Sequence, residues 1–246
     1  MRRTIVAQGR ELTYVLTEKK VKNINLRVKP GGEVAVSAPR RMSGAQVDEA
    51  VREKASWIFA ALARLERAHG QLRLCDGGRV PVKGRWLTIR VDQGRPEGVW
   101  PGEGVLEVTL DAGSPPEAVG RWVRDWLAGQ ARAELPGLLD RCWDLYRRVT
   151  GSERPEPPGL TLRWMVSRWG SCAVRDHRIT LNPALTCLPP QSAAYVVFHE
   201  LAHFRHPDHS PAFHALTARL LAEAGLPGET ELRRDMGINL RGLVKG

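Results

Sequence analysis

Paired cysteines and long apolar runs are both missing from this chain of 246 residues. None of its four cysteines stands at C-x-x-C spacing, so we expect free thiols in a reducing compartment. No apolar run approaches the length that crosses a membrane, and the start, MRRTIVAQGR, lacks the apolar segment of a secretory signal. We therefore expect a cytoplasmic protein with no membrane partner.

Acidic residues are fewer than basic residues. The chain has 37 Lys and Arg against 27 Asp and Glu, which gives a net charge of +10. The basic residues are scattered without a long run, so they suit either a solvated exterior or a surface that binds nucleic acid through its phosphates. The candidates for such a surface are Arg27, Lys29, Arg40, Arg41, Arg52 and Lys54. The sequence does not indicate an oligomeric state.

The first part of the chain has the pattern of β structure. Short runs rich in β-branched residues lie at 4–7, 12–16, 24–28 and 34–37, and again at 79–82, 86–91 and 106–110. Residues 29–32 predict a hairpin turn, and a helix over 45–67 is capped by Ser43 with Gln46 as its capping-box partner. We find no internal repeat.

Near Gly113 the pattern changes from strand to helix. Ser114 and Glu117 predict a capping box with Pro115 at the first helical position, and a helical stretch that is kinked or broken near Pro136 runs to about Val149. Two strands at 160–167 and 178–182 follow. We therefore predict an α+β fold with a β-rich N-terminal domain at 1–112 and a second domain at 113–246.

Five of the seven histidines lie in one stretch that begins with the motif H-E-x-x-H at His199 to His203. Residues 191–198 supply an apolar helical face before it, and two prolines fit the start of a helix. Positions i and i+4 share one helix face, so His199 and His203 can bind one metal ion while Glu200 reaches a water on that ion.

Pro207 decides which histidine supplies a third ligand. It disfavours helical geometry at His206, so the helix should end near Phe204 or Arg205. On a continued helix His206 would lie roughly 10 Å along the axis from His199, and one ion would bridge the two only with strained side chains. His209 lies beyond the break, where the chain can turn back, and it is the favoured ligand.

Three nitrogen ligands favour zinc, and Glu200 left unligated favours catalysis over a structural site. The expected role of Glu200 is that of general base toward a metal-activated water. A second donor for the oxyanion is not singled out, and Arg168 and His206 are weak candidates.

The chain resembles the YgjP-like metallopeptidases, which are related to the SprT-like zinc proteases. Two segments carry the resemblance, Arg168-Trp169-Gly170-Ser171-Cys172 with Ile179-Thr180-Leu181-Asn182, and His199-Glu200-Leu201-Ala202-His203 with His209-Ser210 and Phe213. The resemblance implies a zincin-like fold in the second domain, His199, His203 and His209 as zinc ligands, and Glu200 as the catalytic carboxylate. Many members have Trp where this chain has His214.

The expected activity is therefore zinc-dependent hydrolysis of peptide bonds. Two alternatives stay open, another zinc hydrolase such as an amidase, and a basic protein associated with nucleic acid, which includes a protease of nucleic-acid-bound proteins. The segment 168–172 also has two interpretations. In the first, Trp169 only packs in the core and Gly170 only supplies a turn. In the second, they shape a strand whose edge binds a substrate peptide.

Overall fold

The computed structural model of the chain describes residues 2–19, 21–28, 33–94 and 96–245, apart from the side chains of residues 64–71 and 245. The chain has a mixed α+β fold with several small sheets. It divides into two compact units, Met1–Gly70 and Gln71–Gly246. None of the described helices is long and apolar enough to span a membrane.

The first unit is a four-stranded sheet followed by two helices. Its elements are β1 (Arg2–Ala7), β2 (Arg10–Lys19), β3 (Asn25–Val28), β4 (Val34–Pro39), α1 (Gly44–Glu53) and α2 (Ala55–Gln71). Alternating apolar residues of β1, β2 and β4 meet Val47 and Val51 of α1 in one core. The predicted capping box of Ser43 and Gln46 is confirmed, whereas the single predicted helix is interrupted at Lys54.

The second unit begins with another four-stranded sheet, made of β5 (Arg79–Val82), β6 (Arg85–Gln93), β7 (Gly98–Pro101) and β8 (Val105–Leu110). The helix α3 (Ala118–Thr150) follows, and then a three-stranded sheet of β9 (Gly159–Leu162), β10 (Gly170–Ala173) and β11 (Arg178–Leu181). After a 3-10 helix at Pro183–Cys187 come α4 (Pro190–Ala202), α5 (Pro211–Glu223), α6 (Glu229–Leu232), a 3-10 helix at Arg233–Met236 and α7 (Leu240–Lys245).

The two four-stranded sheets have the same topology, which the sequence analysis missed. Their orders are β1-β2-β4-β3 and β5-β6-β8-β7, and in each the two central strands are parallel and the outer pairs antiparallel. Both first hairpins turn through two residues with positive φ, Gln8-Gly9 and Lys83-Gly84. The φ values of 52° and 71° in the first and 50° and 80° in the second suit a type I′ turn, whose twist matches the flanking strands. The predicted turn at residues 29–32 lies outside the described residues.

The helix α3 joins the sheets of the second unit in one core. Buried residues at helical spacing, among them Val123, Leu127 and Leu139, share a cluster with β8 and α4. The helix contains Pro136 without a break. It begins later than predicted, with Glu117 at the N-cap and no side-chain cap bond, so the capping box assigned to Ser114 is wrong.

The compact units divide at residues 70 and 71, whereas the predicted domain boundary lies between 112 and 113. The boundary at 112 and 113 stays a prediction. The nucleic-acid surface stays one as well. Its described candidates, Arg27, Arg40, Arg41, Arg52 and Lys54, are exposed residues of the first unit, and Lys29 lies outside the described residues.

Candidate metal centre

The helix α4 carries the H-E-x-x-H motif into the core of the second unit. Pro189 and Pro190 begin it, and its buried residues include Val197 and Leu201. The regular helix ends at Ala202, and hydrogen bonds from the amides of Phe204, Arg205 and His206 continue its turn. The helix therefore stops before Pro207, slightly earlier than predicted.

The structure brings His199, His203 and His209 together. Each offers one nitrogen, and the three nitrogens lie within 4.8 Å of one another. The Nε2 atoms of His199 and His209 are 3.1 Å apart. Two ligands held at zinc distances of about 2 Å in a tetrahedron are separated by roughly 3.3 Å, so this spacing suits one ion. The donor set fits a zinc ion.

Phe213 forms the base of this cluster. Its side chain is fully buried, and its ring centroid lies 4.8, 4.6 and 4.8 Å from those of His199, His203 and His209. Ser210 is the N-cap of α5 and accepts a hydrogen bond from the Phe213 amide, and Pro211 is the first residue of the helix. The cap thus fixes where α5 places Phe213 beneath the histidines.

The protonation of His199 and His203 is set by their surroundings. The Nδ1 atom of His203 lies 3.2 Å from the carbonyl oxygen of His206, and a carbonyl only accepts, so Nδ1–H donates and Nε2 keeps a lone pair. Burial lowers the pKa of His199 to about 4, helped by the charges of His203 and His209. Burial also lowers the pKa of His203. Both imidazoles are thereby held neutral, the form that binds metal.

His206 and His214 lie outside the group of three. His206 contributes its backbone carbonyl to His203 and not its ring. The Nδ1 atom of His214 is 3.2 Å from Oε2 of Glu229, whose Oε1 accepts a hydrogen bond from the Tyr195 hydroxyl at 3.0 Å. Arg233 donates to the same hydroxyl at 2.8 Å. Tyr195 lies one helical turn before His199 on α4, so this network supports α4 next to the histidine cluster. The sequence analysis did not find it.

Glu200 is buried beside the cluster, with only 6% of its surface exposed. This burial raises the pKa of Glu200 to about 7, although the charge of Arg168 opposes the shift. Burial, together with the charge of Glu200, also raises the pKa of the Cys172 thiol to about 12. A carboxyl group with a pKa near neutrality can both take up and release a proton at physiological pH.

The raised pKa of Glu200 predicts a pH-dependent stability for the metal-free protein. The pKa is about 7 in the folded chain against the ordinary value of 4.5. The buried carboxylate therefore destabilises the folded state fully above pH 7 and not at all below pH 4.5, where the group is protonated in both states. Glu200→Gln should therefore unfold with a free energy roughly 3 kcal/mol above that of wild type at pH 8, and close to it at pH 4.5. Urea denaturation in a chelator at both pH values measures this. A constant difference between the two pH values would contradict it.

Gly170, the first residue of β10, packs directly against Glu200. A Cβ atom at this position would lie 2.8 Å from both Cγ and Oε1 of Glu200. The φ of Gly170 is not positive, so the close approach, and not a turn, requires glycine. Asn182 holds the preceding segment because its Nδ2 donates to the carbonyl oxygens of Met165 and Arg168 at 2.7 and 2.9 Å.

Gly170→Ala should displace the Glu200 carboxylate while the fold survives. We expect hydrolytic activity to fall on the order of 100-fold, because a shift of about 1 Å in a reacting group has that effect. The measurement is kcat/KM beside the melting temperature. Gly113→Ala is the matched control, since a Cβ there meets nothing within 4 Å. Equal activity in the two variants would contradict the role given to Gly170.

The fold and the site define a mixed α+β protein with three convergent histidines beside a buried carboxyl group. Residues 22–226, most of the chain, match the family model described as YgjP-like, metallopeptidase domain. The chain belongs to this family of YgjP-like metallopeptidases, whose substrates are peptides or proteins.

Two other comparisons add little. The chain is similar to the crystal structure of the metallopeptidase zymogen of Pyrococcus abyssi abylysin, with 22% identity and a TM-score of 0.34, over 40% of this chain and 90% of that chain. The family match over residues 22–226 shows the membership. No curated protein gives a significant match.

Proposed function

We propose that the chain is a zinc-dependent peptidase in which His199, His203 and His209 bind the zinc ion and Glu200 is the general base. The observation that carries the proposal is the convergence of three histidine nitrogens within 4.8 Å beside the buried Glu200. Two of these histidines are neutral, and the third, His209, is exposed and comes from beyond the helix. The second unit would then be a zincin-like peptidase.

The bound zinc ion would supply Lewis acidity, which lowers the pKa of water and polarises a carbonyl group. The chain's residues do the rest. A Glu200 carboxylate oxygen accepts a proton from the attacking water and passes it to the leaving amine. Gly170 keeps that carboxylate in place, and the apolar core behind α4 excludes bulk water from one side of the site.

The substrate would lie along β10. This strand pairs with β11 alone within the described ranges, so its other edge has no strand partner there, and its first residue approaches Glu200. An extended peptide can add to such an edge by backbone hydrogen bonds. That placement supports the second interpretation of the segment 168–172, in which Gly170 shapes the cleft.

Metal analysis of the purified protein, paired with cleavage of peptides derived from a proteome, tests this function. We expect about one zinc ion per chain and chelator-sensitive cleavage of peptide bonds. Cleavage of simple amides but not of peptides would favour an amidase. A protein without bound zinc, or with chelator-insensitive cleavage, would overturn the proposal. Among the residues that the structure describes, no contact favours nucleic acid as the partner.

A further inference from the structure

A concave feature of the second unit has none of the three clustered histidines in its lining. It is a cavity of about 430 Å³ between α3, the loop that follows α3, the β10–β11 turn and the residues just after α4. We call it the aromatic cavity. Its lining consists of Trp143, Tyr146, Thr150, Ser152, Arg154, Val174, His177, Phe204 and Arg205.

Four rings form the floor of the aromatic cavity. Trp143 is stacked on Tyr146 with centroids 5.3 Å apart, and His177 meets Trp143 edge-on at 5.6 Å. His177 also lies 4.8 Å from Phe204. His177 adopts a positive φ of 47°, which few residues with a side chain do. The turn thus holds the imidazole in the floor at some backbone cost. Trp143 and Tyr146 are buried beneath, and the partly exposed rings of His177 and Phe204 offer apolar surface to a ligand.

The polar lining of the aromatic cavity is positive. Arg154 and Arg205 are exposed guanidinium groups, and no Asp or Glu occurs among the lining residues. In the part of the chain that the structure describes, neither arginine forms an ion pair, and Arg205 donates only to the carbonyl oxygen of Thr150, at 3.3 Å. Two unpaired guanidinium groups are suited to a carboxylate, which accepts paired N–H donors.

The aromatic cavity connects to the metal centre through two elements. Phe204 and Arg205 directly follow His203, and Val174 directly follows β10, whose first residue touches Glu200. Four residues of extended strand span roughly 13 Å. A peptide lying along β10 with its scissile bond at Glu200 would therefore bring a residue a few positions away to the cavity.

We propose that the aromatic cavity is a substrate subsite that binds a carboxylate of the peptide through Arg154 and Arg205. This inference rests on the proposed function. The methylene groups that carry the carboxylate pack on the aromatic floor, so a glutamate side chain suits the cavity better than an aspartate. A C-terminal carboxylate offers the same chemistry, and the experiment separates the two sources.

The test measures binding, with catalysis removed. Zinc-loaded Glu200→Gln protein is immobilised and incubated with a library of acetylated, amidated decapeptides, and the bound peptides are sequenced by mass spectrometry. We expect Glu to be enriched over Gln about tenfold at one position, the effect of a hydrogen bond to a charged group. A second library with free C-termini shows whether a terminal carboxylate binds as well.

Three further proteins identify the groups responsible, each in the Glu200→Gln background. Arg154→Gln with Arg205→Gln should remove the enrichment, and the corresponding double lysine variant should keep much of it. Arg121→Gln is the charge-matched control, because Arg121 is exposed near the start of α3, far from the cavity. It should keep the full enrichment. Circular dichroism and zinc content check that each variant is folded.

Several results would overturn the subsite. They are no acidic enrichment, enrichment that persists in the double glutamine variant, or an equal loss in Arg121→Gln. Failure of the subsite and failure of the proposed function are distinguishable. Cleavage by wild type without acidic enrichment removes the subsite alone, whereas acidic enrichment without any cleavage removes the peptidase assignment and leaves the binding site.

Discussion

Glu200→Gln is expected to lose peptide hydrolysis on the order of 1000-fold while it keeps its zinc and its fold. The amide has nearly the volume of the carboxyl group, so packing against Gly170 survives, but it cannot accept the proton that Glu200 would take from water. The measurement is kcat and KM with zinc content on the same sample. The loss should fall mainly on kcat, because the interaction is made in the transition state.

Glu200→Asp is the informative companion variant. It keeps the acid but withdraws it by one methylene group from a buried position, so we expect activity between those of wild type and Glu200→Gln. Full activity in Glu200→Gln would remove Glu200 as the base. Loss of zinc from that variant would instead point to a ligand role for Glu200, which its place outside the three-histidine group does not favour.

The local features of the site were predictable because each depends on a short stretch of sequence. The helical spacing of His199 and His203 and the effect of Pro207 on its neighbour are local rules, and so is the Ser210 cap. The structure ends α4 and begins α5 where those rules place the ends, within a few residues. The separation of His206 from His209 follows from the same break.

The close approaches in the site could not be predicted in this way. Gly170 and Glu200 are thirty positions apart, and only their packing shows that a Cβ atom would collide with the carboxylate. The same holds for Trp143, His177 and Phe204, which come from a helix, a turn and a helix end. Long-range contacts of this kind produce no periodic pattern in the sequence.

The repeated sheet topology could not be predicted from the sequence, for a different reason. The two sheets have the same strand order and similar hairpin turns, but the residues in their strands differ. Tyr14 pairs with Val34 in the first, and Ile89 pairs with Leu106 in the second. A sheet requires strands in which apolar and polar residues alternate, joined by suitable turns. Many different apolar residues meet this requirement, so two sheets of the same topology need not be similar in sequence. The wrongly predicted capping box at Ser114 shows the opposite risk, a matching sequence pattern that the backbone does not use.

Substitutions of His209 and His206 should differ in their effect on zinc affinity, and this is the second large expected effect. His209→Ala removes one of three converging nitrogens, so we expect zinc affinity to fall on the order of 1000-fold. His206→Ala should change it little, because the contact of His206 with His203 uses a backbone carbonyl that the substitution preserves. Competition with a chromophoric chelator measures both affinities.

The pair of variants is matched in chemistry, since each loses one imidazole from the same segment beyond α4. The melting temperature of the metal-free proteins should differ little from that of wild type, because His209 is exposed and His206 is only half-buried. The difference should therefore appear only when zinc is added, as a loss of zinc-dependent stabilisation in His209→Ala. Equal losses of affinity, or a loss confined to His206→Ala, would show that the ligand beyond the helix had been assigned to the wrong histidine.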